Sequence, residues 1–152
     1  MKLKYLLVTL ACTLSFQIAA KPSVNDMQQC QALIDFIEQK LSNPPAKYKS
    51  DLVDTAKLGL GKYDDYIQSD IVTPGLIEFN GGDKAKAAEM QKQVDAFKSS
   101  LTKALNQRYS QPGLFMDQVV ALNECTKKAV PSGEALDDLK RSMESLIALV
   151  QS

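Results

Sequence analysis

The stretch VNDMQQCQALIDFIEQKL, residues 24–41, decides the fold class. Its apolar residues Val24, Met27, Cys30, Ile34, Ile37 and Leu41 recur at intervals of 3, 3, 4, 3 and 4. That is the period of one helix face, not the alternation of a strand. Ser23 precedes it and Asp26 follows three residues on, approximating a capping box with Asp in place of Glu or Gln. The stretch ends at Ser42-Asn43-Pro44-Pro45, because a residue before proline avoids the helical region.

The same period continues downstream. A second helix is predicted from about Pro45 to Ile71, with the stripe Val53, Ala56, Leu60, Tyr63, Ile67 and Ile71. Gly59 and Gly61 lie inside it, each costing about 1 kcal/mol relative to alanine. They mark either a kink or a place where another helix backbone passes closely. Thr73-Pro74-Gly75 is expected to end this helix, leaving residues 76–82 as an irregular, rather apolar connection. A third helix starts near the N-cap Asp83 and carries Ala87, Met90, Val94, Phe97, Leu101, Leu105 and Tyr109. A fourth carries Phe115, Val119, Leu122, Cys125 and Ala129. Pro131-Ser132-Gly133 divides it from a fifth with Leu136, Leu139, Met143, Ile147 and Val150. The expected architecture is all-α, an up-and-down helical bundle of four to five helices, because short connections make successive helices antiparallel neighbours. The lower count applies if the last two helices are one kinked helix.

The chain begins Met1-Lys2-Leu3-Lys4, continues with an apolar run from Tyr5 to Ala20, and then reads Lys21-Pro22. A short basic segment, an apolar core and the small pair Ala19-Ala20 are the parts of a cleavable signal peptide. The run contains Thr9, Thr13, Ser15 and Gln17, and is shorter and more polar than a bilayer-spanning helix requires. The expectation is a signal peptide over residues 1–20 and a single helical-bundle domain over 21–152. The protein would be exported to a periplasm or the extracellular space, with no stable membrane insertion after cleavage. Cys12 would leave with the signal peptide; the residues before it, Thr9-Leu10-Ala11, match a lipoprotein signal poorly.

Two cysteines, Cys30 and Cys125, then remain in an oxidising compartment. They form an intramolecular disulfide, stay free, or bond to another chain. The up–down order favours the first, because it brings the start of helix one and the end of helix four to the same end of the bundle. Both cysteines lie near that end and on the apolar stripe of their own helix.

Without Lys2 and Lys4, sixteen basic residues face eighteen acidic ones, a net charge of −2. A nucleic-acid partner normally demands a basic footprint, so none is expected. The chain has no histidine, which removes the commonest general base, the commonest zinc ligand and the proximal ligand of most haem proteins. Haem bundles of the cytochrome b562 and cytochrome c′ families, comparable in length and export, need that ligand. Gly-x-Ser-x-Gly, Cys-x-x-Cys and a calcium loop are absent as well. No catalytic residue, metal site or cofactor is therefore expected; an uncharacterised hydrolase built on paired carboxylates is the remaining enzymatic alternative.

The functional expectation is a non-enzymatic exported module that binds another protein, in the manner of a chaperone, inhibitor or effector. The alternative is a carrier holding an apolar small molecule or lipid inside the bundle. Five residues are singled out as an interaction surface: Tyr63 and Tyr66 on one helix face, and Leu76, Ile77 and Phe79 in the 72–82 connection. The competing role, and the one that core filling favours, is packing at the core edge for the two tyrosines and a loop tucked over the bundle end for the connection.

Overall fold

The computed structural model describes residues 21–152. The expected signal peptide and Cys12 lie outside the described residues. Helix α1 spans Val24–Ser42. Its N-cap is Ser23, whose hydroxyl accepts the Asp26 amide at 3.0 Å, as the spacing predicts. Met27, Ile34, Phe36 and Ile37 have no exposed surface, and Gln28 and Gln31 are buried too. A helix buried on most of its circumference must be surrounded, and α1 is the central rod of the fold.

Helix α2 spans Ser50–Tyr66, a π-helical segment covers Ile67–Val72, and α3 spans Thr73–Phe79. The three run on as one rod, with right-handed helical backbone at Ile67, Val72 and Thr73. Two expectations are corrected here. The chain from Pro45 to Tyr48 forms a turn closed by the Tyr48 amide on the Pro45 carbonyl (2.9 Å), so the helix starts five residues later than expected. At its other end, Thr73-Pro74-Gly75 does not stop the helix, and residues 76–79 are helical. Proline clashes with the carbonyl four residues back and has no N–H to donate. The π segment absorbs this defect by lengthening the hydrogen-bond step, so that the Thr73 amide reaches the Gln68 carbonyl.

The rod ends at Asn80 in a Schellman motif. The Gly82 amide reaches the Ile77 carbonyl at 2.8 Å, the Gly81 amide reaches Glu78 at 3.0 Å, and Gly81 has a φ of 63°. Helix α4 follows over Lys84–Arg108, capped by Asp83 as expected. Helix α5 spans Met116–Lys128 and α6 spans Glu134–Gln151. They are separate helices, parted at Gly133, whose φ is 59°.

The all-α up-and-down expectation holds, with five rods. Helix α6 packs antiparallel along α2, while α4 and α5 pack on α1. At the α2–α6 crossing, Ser142 Oγ donates to the Ala56 carbonyl at 2.8 Å. Cys30 and Cys125 are joined, with Cα atoms 5.7 Å apart, an ordinary span for a disulfide.

Candidate functional site

Helices α4 and α5 are each fastened to α1 but barely touch one another. On the α4 side, the buried Thr102 hydroxyl reaches the Ala32 carbonyl at 3.3 Å, and Asn106 Nδ2 donates to Gln39 Oε1 at 2.8 Å. Lys98 pairs with Asp35 at 3.3 Å. On the α5 side, the disulfide and the Lys128–Asp26 ion pair (2.9 Å) hold the helix to the start of α1. The Lys128 ammonium and the Ser23 hydroxyl, the latter the stronger influence, keep the Asp26 carboxyl below the usual aspartate range.

The linker between α4 and α5 keeps them apart. Lys40 Nζ donates to the Tyr109 and Gln111 carbonyls at 2.6 and 3.0 Å, and the Tyr48 hydroxyl accepts the buried Leu114 amide at 2.8 Å. Gly113, at φ 92°, passes so close to Tyr48 that an added β-carbon would lie 3.1 Å from its hydroxyl. The chain is thereby carried over the loop joining α1 to α2, and α5 descends on the far flank of α1 from α4.

The result is a surface groove of about 570 Å³ with α1 as its floor. Leu33, Leu101, Leu105, Ala104, Ala121 and the disulfide give it apolar walls. Charged residues stand around it, but most are neutralised within the chain: Asp26 by Lys128, and Glu124 by Lys127 at 2.6 Å. Arg108 has no carboxylate partner among the described residues; its guanidinium lies 5.3 Å from the Tyr109 ring. The groove is thus an apolar trough with one uncompensated cation on its α4 wall.

The five residues singled out from the sequence do not meet on one surface. Tyr63 is fully buried, and its hydroxyl donates to the Ala129 carbonyl at 2.9 Å. Burial pushes that phenol well above its ordinary pKa. Tyr66, stacked beside it with ring centroids 6.3 Å apart, donates to the Val130 carbonyl at 3.1 Å. The pair tethers the α5–α6 linker to α2. Leu76 is buried and Ile77 half-buried near the C-terminal end of the rod, well beyond the tyrosines at its middle, while Phe79 is 77% exposed beside the turn into α4.

Apart from the disulfide cysteines, the groove residues were not singled out from the sequence. Leu101, Leu105 and Cys125 are stripe positions of their helices, while Ala104 and Ala121 belong to no stripe. The available signal was small: alanines beside the stripes of two helices, where a second apolar flank begins.

The chain matches no known family model, no characterised protein and no solved structure. Among the described residues, no helix is long and apolar enough to cross a membrane.

Proposed function

We propose that the protein is an exported, non-enzymatic binding module that takes an amphipathic helix of a partner protein into the groove between α4 and α5. The observation that carries this reading is the groove itself: two helices held apart on a third, with apolar walls. A fourth helix laid there would complete a local four-helix arrangement and bury surface that the chain leaves open. Unpaired Arg108 favours a partner whose apolar stripe is bordered by an acidic side chain. Export is supported by the signal-like order of residues 1–20 and by the disulfide.

A second reading, a carrier for an apolar acid, is favoured by the groove's volume. About 570 Å³ falls within the range of roughly 300–1,000 Å³ typical of small-molecule sites. The groove is open to solvent between α4 and α5, so a ligand held in it would lie at the surface and not inside the bundle.

Photo-crosslinking in the exporting cell separates the readings. A photoreactive residue at Ala104, in the groove, is compared with one at Asp54, exposed on α2. The helix reading expects one dominant adduct at position 104 alone, mapping to an amphipathic peptide with an acidic border, and lost in Arg108→Glu. A lipid adduct at 104 would favour the carrier. Equal labelling at both positions, or none at 104, would overturn both readings.

A further inference from the structure

A different surface of the molecule is unpartnered. Helices α5 and α6 leave the Gly133 turn splayed, with a shallow groove of about 410 Å³ between them. Its borders are unusually apolar for exposed surface: Val130 is 59%, Val120 53% and Ile147 38% exposed. Leu136 and Met143 line the groove itself, half-buried. On α6, Leu136, Met143, Ile147 and Val150 fall at helical spacing on a second flank. That flank adjoins the buried stripe of Leu139, Ser142, Leu146 and Leu149: Met143 and Val150 are half-buried against the core edge, and Ile147 beside them is exposed. Helix α6 therefore carries more apolar width than its packing on α2 uses.

The charges on this flank fit a second copy of the same chain. Lys140 and Glu144 both line the groove. Glu144 has no ion-pair partner among the described residues, and Lys140 makes only a 3.7 Å exposed contact with Asp137. Lysine four residues before glutamate is the weaker order for pairing within one helix, and the two do not pair here. A two-fold axis across α6 near Ser142 and Met143 relates positions 140 and 144 of antiparallel neighbours. Each Lys140 then faces the other copy's Glu144, and each Leu136 lies towards the other copy's Val150. A surface whose opposite charges and apolar ends are exchanged by one rotation is self-complementary, as an isologous interface must be.

We infer that the α5–α6 face is a homodimer interface, with the two copies of α6 packed antiparallel about that axis. The interface is independent of the α4–α5 groove, which lies on the opposite flank of α5 and stays open in the dimer.

Sedimentation equilibrium on the oxidised protein, up to about millimolar concentration, tests the inference. A reversible monomer–dimer equilibrium is expected. Lys140→Glu or Glu144→Lys alone sets like charges together and should weaken the dimer about tenfold, the equivalent of one strong charge contact across an interface. The double variant, Lys140→Glu with Glu144→Lys, restores opposite pairs and should return the dimer to near its original strength. Circular dichroism of each variant should match the parent, since both side chains lie outside the core. A monomer at every concentration would overturn the interface. A dimer indifferent to the single changes, or not rescued by the double change, would overturn the two-fold placement.

Discussion

Gly59 on α2 lies directly against Ser142 on α6: a β-carbon added at Gly59 would come within 2.5 Å of the Ser142 Cβ and of the Asp138 carbonyl oxygen. No side chain fits there, because one neighbour is backbone and the other a Cβ that cannot swing away. Gly61, two residues on, meets nothing nearer than Glu38 Oε1 at 3.7 Å. The two glycines should therefore answer oppositely to one substitution. Gly61→Ala should stabilise by up to about 1 kcal/mol, from helix propensity. Gly59→Ala gains the same propensity but forces α2 and α6 apart, and should destabilise on balance by roughly 1–3 kcal/mol. Urea unfolding of the two variants reads this directly. A Gly59→Ala protein as stable as the parent would mean that the crossing is looser than described.

The disulfide should add to stability without creating the fold, because the core extends well beyond it. Titration of the native chain without residues 1–20 should find no free thiol. The chain-entropy model gives about 4–5 kcal/mol for a loop of this length, less any strain. Reduction should lower the thermal midpoint by very roughly 10 °C or more while far-UV circular dichroism stays helical. Two reactive thiols in the native protein, or loss of helicity on reduction, would count against this.

The two tyrosines test the tether on the α5–α6 linker. Tyr63→Phe leaves the Ala129 carbonyl without its buried donor and should cost about 1–3 kcal/mol. The Tyr66 hydrogen bond is exposed, so Tyr66→Phe should cost under about 1 kcal/mol. Equal costs in thermal or urea unfolding would show that burial does not separate the two bonds.

Two carboxylates should move stability with pH in opposite senses. Asp138 is nearly buried, and the hydrogen bond from Lys62, with Arg141 beside it, holds its carboxyl below the usual aspartate range. Its contribution is present above the unfolded value of about 3.9 and lost as pH falls through the lower folded value. Asp138→Asn should thus be less stable than the parent at neutral pH, with the gap closing in acid. Asp64 is the reverse case. Burial raises its pKa, and its Oδ1 has no hydrogen-bond partner. The folded state then binds the proton more tightly, so stability falls as pH rises from about 3.9 through the raised folded value. Asp64→Asn should be more stable than the parent at neutral pH, and that gap should also close in acid. Thermal midpoints from pH 3 to 7 for the three proteins check both signs; a destabilised Asp64→Asn at neutral pH would contradict the second.

The sequence by itself determined the helical class, the caps at Ser23 and Asp83 and the break at Gly133, and it favoured the pairing of Cys30 with Cys125. Each depends on local chemistry or on the order of short-linked helices, and both can be read along one dimension. The tertiary structure decided the rest. Pro74 looks like a stop, but it is carried inside a continuous rod because packing of Ile71, Val72 and Leu76 into the core outweighs one missing hydrogen bond. Tyr63 and Leu76 were readable as surface as well as core, since an apolar stripe does not reveal how much of its width a neighbour covers. The groove between α4 and α5 is absent from either helix taken alone. It exists because Lys40 and Tyr48 route the intervening linker over the α1–α2 loop, and contacts between residues 66 and 71 positions apart leave no periodic trace in the sequence.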